Sequence, residues 1–253
     1  MLQTEVSAGR LTFTIDDPDR RNPLTDDVVA GLISGFNTMP DQIRVVIITG
    51  AGDKAFCAGG DLSGGFFDEP LATHRERSRL AELFRLMRRC DQPVVARVNG
   101  HALAGGFGLM LACDMANGVD MASFGAPEVT VGLFPMMIST VIQRSLPPKV
   151  ALDLVMSGRR IGADEALRIG ALSRVVAPAE LDAAVDELVA ELMSKSRAVL
   201  AMGKHSFYAV QDLAFDAALD HLAVGLTSVA MTEDAREGLA AFVGKRTPEF
   251  KGR

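Results

Sequence analysis

Cysteine is scarce in this 253-residue chain: Cys57, Cys90 and Cys113 are too few and too scattered for a disulfide framework or a zinc site. An excess of basic residues is missing as well. With a net charge of −6 and a pI near 5.3, the chain carries no electrostatic footprint for nucleic acid. The opening "MLQTEVSAGRLTFTIDD" lacks a basic stretch followed by an apolar one, so no secretory signal is read there. The most apolar run, Ala102 to Cys113, is too short to span a bilayer. These absences lead to the expectation of a cytoplasmic protein with no metal, no membrane and no nucleic-acid partner. Linkers and low-complexity segments are also lacking, which points to one core with an extension.

What is present supports a large core, since 48% of the residues are hydrophobic. "LTFTID" (11 to 16) alternates like a strand and is expected to pair with "LQTEV" (2 to 6). Thr25 is placed to cap a helix from Asp26 whose stripe is Val28, Val29, Leu32, Ile33 and Phe36. "IRVVIITGAG" (43 to 52) and "QPVVARVNG" (92 to 100) read as strands covered on both faces. Short strands are expected within 115 to 128, and another at "LSRVVA" (172 to 177). The first 140 residues or so thus repeat a strand-then-helix unit, and the last 75 are nearly all helix. One basic segment, "HRERSRLAELFRLMRRC" (74 to 90), reads as a solvated helix face; alternatively, some of its arginines meet an anionic ligand at a pocket mouth.

Two glycine-rich turns follow buried strands: "GAGDKAFCAGGDL" (50 to 62) and "NGHALAGGFGLMLACD" (99 to 114). Gly50, Gly52 and Ala55 fit the dinucleotide pattern G-x-G-x-x-A, but the chain stays in turns instead of opening a helix. No second strand with a terminal acid follows at the required distance, so that reading fails. Glycine lets main-chain N–H groups approach a ligand closely. At Gly105 and Gly106 such groups would sit at a helix N-terminus, where unpaired donors favour negative charge. If Gly60 points an N–H at the same spot, the pair forms an oxyanion hole. Tight turns between strands are the plainer alternative.

"AFCAGGDL" (55 to 62), the run 99 to 114 and "FGAPEVTVGLFP" (124 to 135), in this order and spacing, resemble the crotonase, or enoyl-CoA hydratase/isomerase, superfamily. "SGRRIGADEALRIGALSRVV" (157 to 176) and "GLAAFVGKRTPEF" (238 to 250) look alike too, so the resemblance covers nearly the whole chain. It implies an α/β fold: a spiral of ββα units over residues 1–195 and a helical trimerisation region over 196–253. It also implies a homotrimer or dimer of trimers acting on an acyl-CoA thioester, with coenzyme A as part of the substrate rather than a cofactor. The enolate-holding donors fall on Gly60 and Gly105, and the catalytic glutamate on Glu128. Coenzyme A contacts fall on Arg20, Arg21, Ala58, Gly60, Asp61 and Leu62, with Phe242 and Lys245 reaching a neighbouring subunit's site.

One position departs from the pattern. The standard hydratase carries a second glutamate three residues past the oxyanion glycine, where this chain has Gly108. Hydration divides its work between two carboxylates, whereas shifting a 3-enoyl to a 2-enoyl thioester needs one. A lone Glu128 therefore resembles the isomerase branch. Asp61 and Asp114 match positions that close turns, His101 is expected to bond backbone, and His74 is a candidate in the variable acyl region. Phe66, Phe67, Phe134, Met136 and Met137 line an acyl site or serve as core. Two further functions stay open: an acyl-CoA thioesterase or decarboxylase, and a non-catalytic acyl-CoA binding protein.

Overall fold

The β-branched runs become the strands of a buried sheet. The computed structural model describes residues 1–61 and 70–253. Among these residues, one sheet runs in the order β1 (Leu2–Ser7), β2 (Arg10–Ile15), β3 (Val45–Gly50), β5 (Val94–Val98), β7 (Met115–Val119), β10 (Arg174–Val176). β1 and β2 form the expected antiparallel hairpin, with Leu2 opposite Ile15. Its turn residues Ala8 and Gly9 both have positive φ (48° and 79°), the conformation a two-residue hairpin turn needs. The remaining pairings are parallel. Every residue of β3 is buried, in keeping with a strand covered on both faces.

A second sheet contains β4 (Ala55–Cys57), β6 (His101–Leu103), β8 (Ser123–Gly125) and β9 (Ile161–Gly162). β4, β6 and β8 are parallel, and β9 is antiparallel to β8. Each three-residue strand follows a long one of the first sheet and precedes a helix. The repeat is therefore ββα rather than the simpler strand-then-helix unit. Three residues are too few to show a periodicity, so "AFC" and "HAL" read as parts of turns.

The helices in the spiral are α1 (Asp26–Asn37), α2 (Pro70–Arg89), α3 (Gly105–Ala112), α4 (Met136–Ser145), α5 (Pro148–Ser157), α6 (Ala163–Arg168) and α7 (Leu181–Met193). Thr25 caps α1 by accepting from the Val28 N–H, and Val28, Val29, Leu32 and Phe36 are buried, while Ile33 is only half-buried. Phe36 meets Phe13 of the sheet at 5.6 Å between ring centres.

α8 (Arg197–Val210), α9 (Phe215–Ala230) and α10 (Glu233–Val243) complete the chain. Lys204 fastens α8 to the spiral: its buried Nζ lies 2.8 Å from Asp114 Oδ2 and donates to the carbonyls of Met87 and Gln92 at 2.9 and 2.8 Å. Tyr208 adds a 2.6 Å bond from its hydroxyl to Asp114 Oδ1. These helices nevertheless present Phe207, Phe215, Val224, Leu226, Phe242 and Val243 to solvent. No helix among the described residues is long and apolar enough to cross a membrane.

All three cysteines are free; Cys57 and Cys113 are buried and Cys90 is half-buried. Burial disfavours the thiolate, pushing Cys57 up to about 12 and raising Cys90 and Cys113.

Candidate active site

Buried amides hold the first glycine-rich turn in place. Asn22 donates through Nδ2 to the carbonyls of Ala51 and Ala55 at 2.9 and 2.7 Å. Asn99 accepts from the Gly50 N–H at 3.1 Å and donates to the Gly52 carbonyl at 2.8 Å. Beyond β4 the chain is strapped to the segment before α1. The Ala58 N–H donates to the Arg21 carbonyl at 3.0 Å, the Leu24 N–H to the Gly59 carbonyl at 2.8 Å, and Leu24 bridges Gly60. Arg20 reaches across to Asp61, with Nη1 3.0 Å from Oδ2, and also pairs with Asp17 at 2.6 Å. Asp61 is thus tied into an ion pair with Arg20.

The second turn meets the first at the start of α3. Ala104 has φ 50° and ψ −127°, a backbone suited to glycine, and its N–H donates to the Gly125 carbonyl at 2.9 Å. That conformation aims the chain into α3 with Gly105 as its first residue. A Cβ on Gly105 would lie 3.4 Å from the Gly60 nitrogen, so the two expected donors stand side by side. A Cβ on Gly106 would lie 2.2 Å from the Cys57 carbonyl oxygen, which requires glycine there. No described residue accepts a hydrogen bond from the N–H of Gly60 or of Gly105. Two unpaired main-chain donors, one at a helix N-terminus, are ready to receive an oxyanion.

Glu128 enters from β8, the neighbour of β6. It lies in a 3-10 turn, Pro127–Val131, closed by the Leu133 N–H donating to the Glu128 carbonyl at 3.0 Å. Its Oε2 is buried, with no hydrogen-bond partner among the described residues. Burial raises the carboxyl above the ordinary glutamate value, against a smaller lowering by a backbone hydrogen bond. A carboxyl placed this way can take and return a proton near neutrality.

The remaining predicted residues fall in different places. Arg21 is exposed, in a left-handed conformation (φ 65°), and Ala58 lies beside it through the bond above. Leu62, Phe66 and Phe67 lie outside the described residues. Phe242 lies in the last turn of α10 at 83% exposure and Lys245 follows in a left-handed turn; α10 packs against α8 and α9. His101 accepts the Ser123 N–H at 3.0 Å through Nδ1, the backbone bond expected of it. His74 lies exposed on α2. Asp114 accepts the Val94 N–H at 2.7 Å as a turn-closing residue should, and also pairs with Lys204. Of the arginines on α2, Arg88 stacks over Tyr208 at 5.0 Å and pairs with Asp212. A cavity of about 340 Å³ borders that pair at the C-terminal end of α3, the opposite end from Gly105.

Two further residues border the site without any signal in the sequence. The Leu24 side chain would lie 3.3 Å from a Cβ on Gly105, and Ile138 of α4 packs directly on Gly108. Both are ordinary apolar residues of helical or turn sequence, and no local pattern marks them.

Comparison with known proteins follows the same lines. The family described as Enoyl-CoA hydratase/isomerase matches residues 5–253. The carnitinyl-CoA dehydratase of Escherichia coli is 40% identical over 253 residues, spanning 96% of this chain and 95% of the relative. A crystal structure of enoyl-CoA hydratase from Mycobacterium smegmatis superposes with a TM-score of 0.94 at 32% identity, covering 98% of each chain. Human enoyl Coenzyme A hydratase domain-containing protein 3 gives a TM-score of 0.93 at 30% identity over 98% of this chain and 99% of that one.

Proposed function

Because this chain belongs to the enoyl-CoA hydratase/isomerase family, we propose that it shifts the double bond of a 3-enoyl-CoA thioester to the 2-position with Glu128 as its proton carrier. The observation that carries this reading is the buried, partnerless Oε2 of Glu128 in a chain whose α3 bears Gly108 where a second carboxyl would stand. As a carboxylate, Glu128 takes a proton from C2, and the electron pair of that bond moves onto the thioester oxygen. The N–H groups of Gly60 and Gly105 stabilise that oxygen; a donor of this kind is worth about 10²–10³ in kcat. Protonated Glu128 then delivers the proton to C4, and the 2-enoyl thioester leaves with nothing consumed.

The substrate carries its own coenzyme A, and no separate cofactor enters the scheme. Arg21, beside Ala58 and the Gly60 turn, suits a coenzyme A phosphate better than Arg20, which already holds Asp17 and Asp61. In the same reading, Phe242 and Lys245 serve a neighbouring copy, in a homotrimer or dimer of trimers built through residues 196–253. The exposed apolar side chains of α8 to α10 support that assembly. The setting is cytoplasmic acyl-CoA metabolism of fatty or branched chains.

A second reading is favoured by the carnitinyl-CoA dehydratase relative: removal of water from a 3-hydroxyacyl thioester. A panel of 2-enoyl, 3-enoyl, 3-hydroxyacyl and branched CoA thioesters separates the two, with products identified by mass and double-bond position. The expected result is faster conversion of 3-enoyl-CoA to 2-enoyl-CoA than hydration of crotonyl-CoA. Fast hydration without isomerisation overturns the first reading in favour of the second. Release of free thiol would point to hydrolysis, and binding without turnover to a carrier.

A further inference from the structure

We infer that Ile138 determines which proton chemistry this site performs, by filling the space that any side chain at position 108 would need. The inference rests on the isomerase reading above and adds a residue to it. Gly108 lies one turn along α3 from Gly105, so the two share a face of the helix. A Cβ built on Gly105 points at Leu24 and the Gly60 nitrogen, at 3.3 and 3.4 Å. A Cβ built on Gly108 would instead run into Ile138: Cγ2 at 2.1 Å, Cβ at 2.6 Å and Cα at 3.6 Å. Contacts below 3.0 Å are not tolerated by real side chains. The wall continuing from the oxyanion donors is therefore made by α4, not by α3.

Ile138 has little room to yield. It is buried at 3% exposure in the first turn of α4, and a β-branched residue in a helix has one strongly preferred rotamer. The same stretch of chain supplies both parts of the device. Glu128 comes from the 3-10 turn at its start, and ten residues later Ile138 closes the ground against Gly108 with hydrocarbon. A methyl wall holds neither a water molecule nor a second proton. Glu128 must then remove the C2 proton and return it at C4 itself: one C–H bond breaks, one forms, and no water is added or lost. Ile138 is a specificity-determining residue for that reason, selecting 3-enoyl thioesters over substrates that must gain or lose water.

The test is a double-mutant cycle read first as thermal stability. Gly108→Ala and Ile138→Gly should each lower Tm, the first by overpacking and the second by leaving a void. The pair together should lose clearly less than the sum, because the closest Ile138 atom left to the new methyl is Cα at 3.6 Å. The second arm is chemical: Gly108→Glu with Ile138→Gly should raise the ratio of crotonyl-CoA hydration to isomerisation at least tenfold over wild type. Gly108→Glu alone should be destabilised and should not gain hydration. Additive Tm losses, or a Gly108→Glu protein as stable as wild type, overturn the inference. A coupled Tm cycle without any gain of hydration overturns its chemical half. A wild type that fails to isomerise defeats the reading beneath it instead, while the Tm cycle still decides whether Ile138 guards position 108.

Discussion

A carboxyl with one oxygen buried and unpartnered is easier to keep as the acid than as the anion. For Glu128 this has two measurable consequences. The acidic limb of kcat/KM against pH should lie above the ordinary glutamate value, since the free enzyme needs the carboxylate and burial raises its pKa. Glu128→Gln should lower kcat by about 10²–10⁴-fold while leaving the fold intact. It should also stabilise the protein. A folded-state pKa above the unfolded one means the native state holds more protons between the two values, so wild-type stability falls as pH rises through that window. The Tm advantage of the glutamine variant should therefore be largest at neutral pH and vanish below the unfolded value. An advantage that grew on acidification would contradict the burial argument. At this scale the sequence was informative where chemistry forces residue type. Gly105 and Gly106 stood out because glycine lets a main chain approach a ligand closely, whereas Gly60 and Glu128 were assigned their roles by the family resemblance. Ile138 did not stand out, because an isoleucine in the first turn of a helix looks like core wherever it is.

Among the elements, the long ones were legible and the short ones were not. β2, β3, β5 and α1 carry enough residues to show alternation, full burial or a capped stripe. β4 and β6 carry three residues each, and only their pairing in the second sheet makes them strands. That sheet brings the two glycine-rich turns together, so the site's layout was implied by residue type but assembled by unreadable elements. α8 was legible as a helix, but its attachment was not: Lys204 lies 90 residues along the chain from Asp114, and nothing local links them. Replacing Lys204 by methionine should cost about 3 kcal/mol, at the low end for breaking a buried pair. Tyr208 and the Val94 N–H still serve the stranded Asp114 carboxylate, which moderates the loss. Urea unfolding measures it. A loss below 1 kcal/mol would mean that packing, not the ion pair, holds α8 to the spiral.

At the level of the whole molecule, the helical C-terminal third was visible from its apolar stripes, though not what covers them. Phe215 at 77% exposure and Leu226 at 71% on α9, and Phe242 at 83% on α10, are unusual on a lone surface. Light scattering at micromolar concentration should give three or six times the mass of one chain, and truncation before Ala214 should give aggregated or dissociated protein. A monodisperse single-chain mass would contradict the assembly proposed above.

The three free thiols give the folded chain a chemical silence. Cys57 and Cys113 are sealed in the core with thiolates made costly by burial, and Cys90 is disfavoured in the same way. An aromatic disulfide reagent added to native protein should therefore find almost nothing to modify at first. Any prompt yellow colour in a thioester assay then reports coenzyme A set free by the substrate rather than labelling of the enzyme. What colour the protein itself contributes should arrive slowly, at the pace at which molecules open. The same cuvette thus doubles as a clock for unfolding, and Lys204→Met, which loosens the helix packed over Cys90, should make it run faster.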